Sequence, residues 1–288
     1  MIRVGVSILL AVSLSHFSAC ETPDEVGSVA IESGGSELRG RFFSGQGPGL
    51  RPTVLLIPGW PGGPTDVLGL GTRLSREGMN VLMVNPRGMH ESGGEATFHG
   101  TLEDIGVAFR WLRSSEAAAR FQIDTLSLSL GGYSFGGGMS MAYAASDPTV
   151  RRIISIAGTD HGEIIREIER NEAYGSALRE MLLTTQAPQG PVRFDLEACL
   201  RELSEGQEVF GLRENASRLA DRSILLIGGW EDVNTTVDQF MLPFYRALRG
   251  SGAEDVTFTV YHDDHGFGRV RDQLAAGIAE WIEGQLNH

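Results

Sequence analysis

Short apolar runs alternate with helical patterns along most of the chain. Six runs of five or six residues are rich in Val, Ile and Leu and are bounded by glycine, proline or polar residues, as buried β-strands are. They cover residues 53–57, 80–84, 125–130, 152–157, 223–227 and 256–261. Apolar residues at helical spacing follow in residues 66–78, 101–115, 236–250 and 272–286, and directly after Ser134. This alternation predicts an α/β fold whose mostly parallel sheet has helices on both faces.

Two further β-rich runs come before this pattern. Residues 27–33 and 37–43 are separated by a Gly-Gly pair, which predicts an opening antiparallel hairpin. Together with the six later runs, they predict a central sheet of about eight strands.

One interval interrupts the alternation. About sixty residues lie between the strands predicted at 152–157 and 223–227, far more than a crossover needs. Residues 162–183 and 196–211 have helical patterns, with a break at the APQGP sequence between them. We therefore predict a helical insertion at about 160–222, above the C-terminal edge of the sheet. Two interpretations stay open: a lid over a substrate pocket, or a stabilising subdomain.

Length and composition restrict the class of protein. The chain has 288 residues and is 41% hydrophobic, enough for one large α/β domain. Its net charge of −13, with no basic cluster, argues against binding to nucleic acid or to anionic lipid surfaces by charge. All 24 basic residues are arginine, so Schiff-base chemistry and Ser/Lys dyads are excluded.

The N-terminus has the pattern of an export signal. Residues 1–20 combine an early arginine, an apolar stretch and a final FSAC that is similar to a bacterial lipobox, with Cys20 as the lipidated residue. The alternative is an ordinary signal peptide in which Cys20 is incidental. We predict a tether at 21–27 and a single domain at 28–288. The other cysteine, Cys199, lies in an amphipathic stretch and is interpreted as a half-buried apolar residue.

Ser134 is the first candidate for catalysis. It lies in GYSFG, directly after an apolar strand and before a helical pattern, as a nucleophile elbow requires. Such a strained turn has room only for small residues two positions away, here Gly132 and Gly136. The pentapeptide alone is weak evidence in a chain with 38 glycines, so the surrounding pattern decides its value.

A serine nucleophile needs a base, an acid that orients the base, and donors for the oxyanion. Asp232 follows the strand at 223–227 and is favoured over the adjacent Glu231 as the acid. His265 lies in the loop after the last strand and is favoured over His262 as the base. The order serine, acid, histidine, each after a successive strand, brings distant residues to one sheet edge.

The oxyanion donors are predicted to be backbone amides. One is that of Phe135, directly after the nucleophile, and the other is that of Trp60 in the loop after the first parallel strand. The Trp60 ring is also a candidate for lining the pocket. In the loop at 85–95, Arg87 is interpreted as fixing the loop rather than binding substrate.

The remaining histidines and the metal-ligand patterns indicate no further catalytic or metal site. His99 and His161 lie outside any comparable motif. His161 follows the strand at 152–157 and has two interpretations: facing the pocket from the base of the insertion, or a structural or solvent role, which is favoured. No metal-ligand spacing such as HExxH occurs, so neither a metal nor an organic cofactor is expected.

From about residue 28 to its C-terminus, the chain resembles the α/β-hydrolase superfamily. The sequences LLIPGWPGG, GGYSFGGGMS, LLIGGWED and HDDHGF carry the likeness, and NPRGMHESGG and TLEDIGVAFRWLR look like the prolyl oligopeptidase, serine aminopeptidase and dienelactone-hydrolase-like branch. Two positions depart from it: Pro58 stands where the family usually has histidine, and Ser134 where dienelactone hydrolases have cysteine. The resemblance implies the α/β-hydrolase fold.

Together these features predict an exported serine hydrolase, anchored in the bacterial cell envelope through Cys20 alone. We expect it to cleave an ester of a small substrate, with Ser134, Asp232 and His265 as the catalytic triad. A peptidase or amidase acting on short peptides is the second expectation. A non-catalytic binding protein on the same fold is the alternative of another class.

Overall fold

Eight strands form one sheet in the part of the chain that the structure describes. The structure is a computed structural model that describes residues 26–63 and 66–286. The strands are β1 (Val26–Ser33), β2 (Ser36–Phe43), β3 (Arg51–Ile57), β4 (Asn80–Val84), β5 (Ile123–Tyr133), β6 (Arg152–Ile156), β7 (Ser223–Gly229) and β8 (Val256–Tyr261). Their order is β1-β2-β4-β3-β5-β6-β7-β8; β2 is antiparallel to both neighbours, and all other pairs are parallel. The predicted α/β fold, with about eight mostly parallel strands, is confirmed.

Helices follow most of the parallel strands. They are α1 (Leu70–Arg76), α2 (Phe98–Leu112), α3 (Ser115–Phe121), α4 (Phe135–Ser146), α5 (His161–Arg170), α6 (Glu172–Thr185), α7 (Leu196–Glu205), α8 (Gln207–Phe210), α9 (Leu242–Gly250) and α10 (Arg271–Leu286). A π-helical turn at Val237–Met241 leads into α9, and short 3₁₀ turns lie at Val67–Gly69 and Ala216–Leu219. No helix of the described residues has the length and apolar character that crossing a membrane requires.

The sheet separates two apolar layers. Along β3, Leu55 and Ile57 point into one layer, whereas Val54 and Leu56 point into the other, because successive side chains of a strand face opposite sides. Helices α2, α4 and α9 cover the first layer, and α1 and α10 cover the second. Burial on both faces explains why these strands are almost continuously apolar.

Several element boundaries differ from the sequence predictions. β5 continues past residue 130 because Gly131 and Gly132 still pair with β3 and β6. β6 ends one residue early, since Ala157 has a left-handed backbone with φ of 46°. α2 begins at Phe98 rather than near residue 101, with Thr97 as its N-cap. α3 was not predicted.

The helical insertion divides more finely than its pattern indicated. The single helical run predicted over 162–183 is two helices, α5 and α6. They are separated at Asn171, whose side chain accepts a hydrogen bond from the Tyr174 amide as the N-cap of α6. We call residues 160–222, which contain α5 to α8, the insertion.

Candidate active site

Ser134 lies at the sharp turn between β5 and α4. Its φ of 53° and ψ of −119° are strained for a non-glycine residue. Its amide donates to the Ile156 carbonyl at 2.8 Å, and its carbonyl accepts from the amides of Gly138 and Thr159, each at 3.1 Å. These backbone bonds hold the turn in place.

The flanking glycines are required by backbone contacts. A Cβ at Gly132 would lie 2.1 Å from the Gly136 carbonyl oxygen, and a Cβ at Gly136 would lie 2.3 Å from that of Ile57. Neither partner can rotate away, because both are main chain. The two glycines therefore allow the chain to reverse direction tightly enough to place the serine at the tip of the sheet.

His265 lies beside the Ser134 hydroxyl. Its Nε2 is 3.0 Å from Ser134 Oγ, and its Nδ1 is 2.7 Å from Asp232 Oδ2. With the Nδ1 proton donated to the carboxylate, Nε2 is free to accept the serine proton. The structure thus brings together three residues from the ends of β5, β7 and β8.

Asp232 is held in a tight turn after β7. Its Oδ1 accepts from the amides of Asn234 (2.8 Å) and Thr235 (3.0 Å), and its Oδ2 accepts from the Thr235 hydroxyl at 2.7 Å. Burial opposes ionisation of this carboxyl, but the hydrogen bonds from His265 and Thr235 outweigh burial and hold its pKa below the ordinary value. An ionised, fixed carboxylate is what the imidazole needs to keep its orientation.

Tyr133 contacts the loop that carries His265. Its hydroxyl donates to the His265 carbonyl at 2.9 Å, and the two ring centroids are 5.0 Å apart. Burial, followed by the nearby Asp232 and Asp264, raises the pKa of Tyr133 to about 12, so it remains a donor. Sequence analysis missed this contact, although Tyr133 is adjacent to Ser134.

The two predicted oxyanion donors lie near the nucleophile. The loop after β3 passes so close that a Cβ at Gly59 would be 3.1 Å from Ser134 Cβ. Within residues 26–63 and 66–286, the amides of Trp60 and Phe135 donate to no protein acceptor. Phe135 is also the first residue of α4, where the helix adds positive potential. Both amides are therefore available to an oxyanion.

A cavity of about 460 Å³ opens beside Ser134 and His265. Its size is typical of pockets for small ligands. Of its lining residues, all within the described part of the chain, none is aspartate, glutamate or arginine. The cavity therefore suits a neutral, mainly apolar group.

Aromatic rings form much of the cavity wall. The Trp60 ring packs edge-on against Phe135 and Phe194, with centroids 5.7 and 5.2 Å apart, and Phe98 packs against Phe135 at 5.8 Å. Trp60 Nε1 donates to Thr185 Oγ1 in α6 at 2.9 Å. The Trp60 side chain thus lines the cavity, as the sequence interpretation of its ring allows.

The insertion supplies the opposite wall of the cavity. Its contribution comes from α5, α6, the following loop and α7, through Ile164, Tyr174, Leu178, Met181, Leu182, Phe194, Cys199, Leu200 and Leu203. Burial raises the pKa of the Cys199 thiol to about 12, so this cysteine is an apolar wall residue. This placement favours the interpretation of the insertion as a lid.

Carboxylates fix the insertion internally and join it to α2. The Asp160 carboxylate accepts from the Gly162 amide at 3.0 Å and the Leu212 amide at 2.9 Å, and Arg213 pairs with it at 3.2 Å. The Glu202 carboxylate of α7 accepts from the Phe98 amide at 2.7 Å and the His99 amide at 2.8 Å. The last contact explains why α2 starts earlier than its own sequence pattern indicates.

The other residues considered as functional from the sequence lie away from Ser134, His265 and Asp232. Glu231 is exposed and pairs with Arg269 at 2.5 Å, and His262 is exposed beyond the end of β8. Arg87 fixes its loop, as expected: its side chain pairs with the buried Asp104 at 2.6 Å, and its amide donates to the same carboxylate at 2.7 Å. Cys20 lies outside the described residues.

His161 faces the cavity, which is the less favoured of its two sequence interpretations. It is 4% exposed and lines the cavity at the start of α5. Burial lowers its pKa to about 3, so the ring is neutral at physiological pH. Its position after a strand and at the base of the insertion was the signal for this placement.

Potential metal ligands do not gather in the described residues. No group of three or more His, Cys, Asp or Glu side chains there has the spacing that a metal ion needs.

Comparisons with known proteins agree on the architecture. The family profile described as "alpha/beta hydrolase fold" matches residues 52–186. Among solved structures, Est1E from Butyrivibrio proteoclasticus is similar at 14% identity, covering 91% of this chain and 100% of that chain with a TM-score of 0.65. No curated protein sequence matches significantly.

Two further solved structures represent different activities. An esterase of Pyrococcus furiosus is similar at 17% identity, covering 90% of this chain and 91% of that chain with a TM-score of 0.66. The acylaminoacyl peptidase of Pyrococcus horikoshii is similar at 18% identity, covering 90% of this chain but 41% of that chain, with a TM-score of 0.64. At these identities the likeness shows the fold alone.

Proposed function

We propose that this chain is a member of the α/β-hydrolase superfamily and acts as an exported serine hydrolase that cleaves carboxylic esters of small, neutral substrates. The observation that carries the proposal is the continuous hydrogen-bonded chain from Ser134 through His265 to Asp232, with distances of 3.0 and 2.7 Å. Each of the three groups has the partner that its role requires.

The proposed reaction has two halves. In the first, Ser134 Oγ bonds to the ester carbonyl carbon while its proton moves to His265 Nε2. The amides of Trp60 and Phe135 hold the oxyanion, and the alcohol leaves with the proton from Nε2. In the second, water loses a proton to Nε2 and attacks the acyl carbon; the acid departs as the proton returns to Ser134 Oγ. Asp232 stabilises the imidazolium in both halves.

The cavity favours an ester over a peptide. A peptidase that recognises a free terminus needs a charged side chain to bind it, and no Asp, Glu or Arg belongs to the described lining of this cavity. A serine peptidase is the second candidate, because one structurally similar protein is an acylaminoacyl peptidase. A non-catalytic binding protein is the third, from a different class.

A fluorophosphonate probe tests the proposed chemistry. We expect the probe to label the wild-type protein covalently at Ser134, located by peptide mass spectrometry, and to leave Ser134→Ala unlabelled. Ser140→Ala is a matched control, since Ser140 is buried in α4 and donates to the Gly131 carbonyl instead of facing the cavity. A folded wild-type protein that resists labelling would favour the binding-protein alternative.

Rates on matched substrates separate the two enzyme classes. Short p-nitrophenyl esters and the corresponding aminoacyl p-nitroanilides differ in the bond cleaved and in the charge of the acyl group. We expect higher kcat/KM for the esters. Efficient turnover of the anilides alone would make the peptidase the better assignment.

Export through a lipid anchor is part of the proposal. It is based on the apolar stretch of residues 1–20 and its final Cys20, which lie outside the described residues. Intact-mass analysis of the mature protein from a bacterial membrane fraction is expected to show an acylated N-terminal Cys20, and Cys20→Ala is expected to lose membrane association. An unmodified N-terminus at or beyond residue 20 would contradict the anchor and leave the hydrolase proposal untouched.

A further inference from the structure

His161 is the one buried histidine of the described chain that takes no part in the proposed triad. It starts α5, directly after Asp160, and lies where the insertion leaves the sheet. Its ring is in edge-on contact with Phe98, with centroids 5.3 Å apart, and with Phe135 at 5.4 Å. Phe135 follows Ser134 directly, so His161 lines the part of the cavity next to the nucleophile.

The Nδ1 atom of His161 lacks a protein partner. It is buried and has no hydrogen bond to any group of residues 26–63 and 66–286. A neutral imidazole carries one donor and one acceptor, and burying either of them unpaired is unfavourable. Because Nδ1 is inaccessible while the residue lines the cavity, a group that occupies the cavity can pair with this ring only through Nε2.

His161 is suited to hydrogen bonding rather than to proton transfer. Burial keeps its pKa near 3, so the ring neither carries charge nor exchanges protons at physiological pH. Around it the cavity wall is aromatic and uncharged. An aromatic wall of this kind also offers stacked or edge-on contacts to a further ring that enters the cavity.

We propose that His161 is the substrate-recognition residue of this cavity, and that the preferred ester carries a neutral aromatic ring with one hydroxyl group that hydrogen-bonds to the His161 imidazole. The substrate ring packs against the aromatic wall, and its hydroxyl pairs with His161 Nε2, as donor or as acceptor according to the tautomer. This inference rests on the proposed esterase function and names its substrate class.

Matched esters that differ by one hydroxyl test the inference. The substrates are methyl 3-phenylpropanoate and its 3- and 4-hydroxyphenyl analogues. In wild type, kcat/KM is expected to favour one hydroxylated ester by at least about tenfold, since a site built for a hydroxyl discriminates against its absence. In His161→Leu and in His161→Phe this ratio is expected to fall to about one.

A matched control substitution separates recognition from general damage. His99→Leu makes the same chemical change on an exposed residue of α2 that does not line the cavity, and is expected to keep the wild-type ratio. Fluorophosphonate labelling of Ser134 verifies folding of each variant. If His161→Leu does not fold, His161→Phe, which keeps a planar ring between Phe98 and Phe135, decides the result.

Binding to Ser134→Ala tests the cavity without catalysis. Calorimetry with the same esters is expected to show at least about tenfold tighter binding of one hydroxylated ester, and loss of this difference when His161→Leu is added. Equal affinities, or a preference that survives in both His161 variants, would overturn the inference. Missing fluorophosphonate labelling alone would refute the hydrolase proposal, while the calorimetric result still decides the role of His161.

Discussion

The two walls of the cavity are built differently. On the sheet side, polar side chains are fixed by main-chain geometry: Ser134 by a strained turn, and Asp232 by two amides and a hydroxyl. On the insertion side, the wall consists mainly of apolar side chains from helices, and Glu202 of α7 joins them to α2 through a carboxylate contact. In the proposed function, the first wall carries out the reaction and the second selects the substrate.

This difference predicts which side of the cavity tolerates amino-acid substitutions. Bonds to main chain cannot shift by rotamer changes, so substitutions on the sheet side are expected to abolish chemistry. Apolar packing adapts, so substitutions on the insertion side are expected to alter KM and substrate choice while the nucleophile remains reactive.

Asp232→Asn is the largest expected effect that keeps the fold. An amide can no longer hold the imidazole in the tautomer that presents Nε2 as the acceptor, so kcat is expected to fall by about 10³–10⁴-fold. Steady-state ester hydrolysis measures this loss. The adjacent Glu231→Gln, at an exposed residue, is the control and is expected to stay within about twofold of wild type. A larger loss in Glu231→Gln than in Asp232→Asn would assign the acid to Glu231.

Gly136→Ala tests whether the turn depends on main-chain contacts. The new Cβ would meet the carbonyl oxygens of Ile57 and Pro58 at 2.3 and 2.4 Å, so the free energy of unfolding is expected to fall by at least about 2 kcal/mol and the labelling of Ser134 to be lost. Urea unfolding followed by circular dichroism measures it. Gly284→Ala in α10, where a Cβ meets nothing within 4 Å, is expected to stabilise by about 0.5–1 kcal/mol. Full labelling of Gly136→Ala would show that the turn is adaptable.

Glu202→Ala tests the contact that joins the insertion to α2. Its carboxylate accepts from two amides at the start of α2, a helix N-terminus, so its loss is expected to cost about 1–2 kcal/mol of unfolding free energy. KM for ring-bearing esters is expected to rise severalfold, with fluorophosphonate labelling close to wild type. Glu197→Ala in the same helix is the control, since this exposed residue pairs only with Arg179 of α6. A collapse of labelling in Glu202→Ala would mean that the two walls are not independent.

The pH dependence of stability tests the burial of His161 in the cavity wall. His161 has a pKa of about 3 in the folded protein against an ordinary 6.5, so between these values the unfolded chain binds more protons. Folding is therefore destabilised as the pH falls below about 6.5, by up to about 1.4 kcal/mol per pH unit. His161→Phe is expected to flatten this slope between pH 6.5 and 5, measured by thermal unfolding in matched buffers. An unchanged slope would show that the pKa of His161 in the folded protein is close to its ordinary value.

Local sequence patterns were sufficient to predict the strands of the sheet and the order of the candidate catalytic residues along the chain. The strand at Asn80–Val84 has the predicted bounds because a run that is buried on both faces is mainly apolar along its length. The strand at Val256–Tyr261 also has the predicted bounds, although it lies partly exposed at the sheet edge, because its apolar residues alternate with threonine. Ser134, Asp232 and His265 were recognised because each follows a strand, and parallel strands bring their ends to one edge. The choice between His262 and His265 also depended only on position in the loop.

What sequence reasoning missed depends on contacts between distant segments. α2 starts at Phe98 because Glu202, about one hundred positions later, supplies acceptors for its first amides. Tyr133 contacts His265 from another strand, and Thr235 fixes the Asp232 carboxylate in a turn whose shape has no sequence motif. Hydrophobic periodicity describes only which face of an element is buried, so it does not identify such partners.

By itself, the sequence determined the α/β class, the positions of the strands along the chain and the glycine-flanked turn at Ser134. These features follow from local periodicity and from steric limits within a few residues. Only the tertiary structure decided the distances among Ser134, His265 and Asp232, the uncharged aromatic cavity, and the burial of an unpaired His161 in its wall. These depend on how the insertion packs over the sheet edge. Burial and hydrogen bonding are properties of that packing, which no single segment of the chain contains.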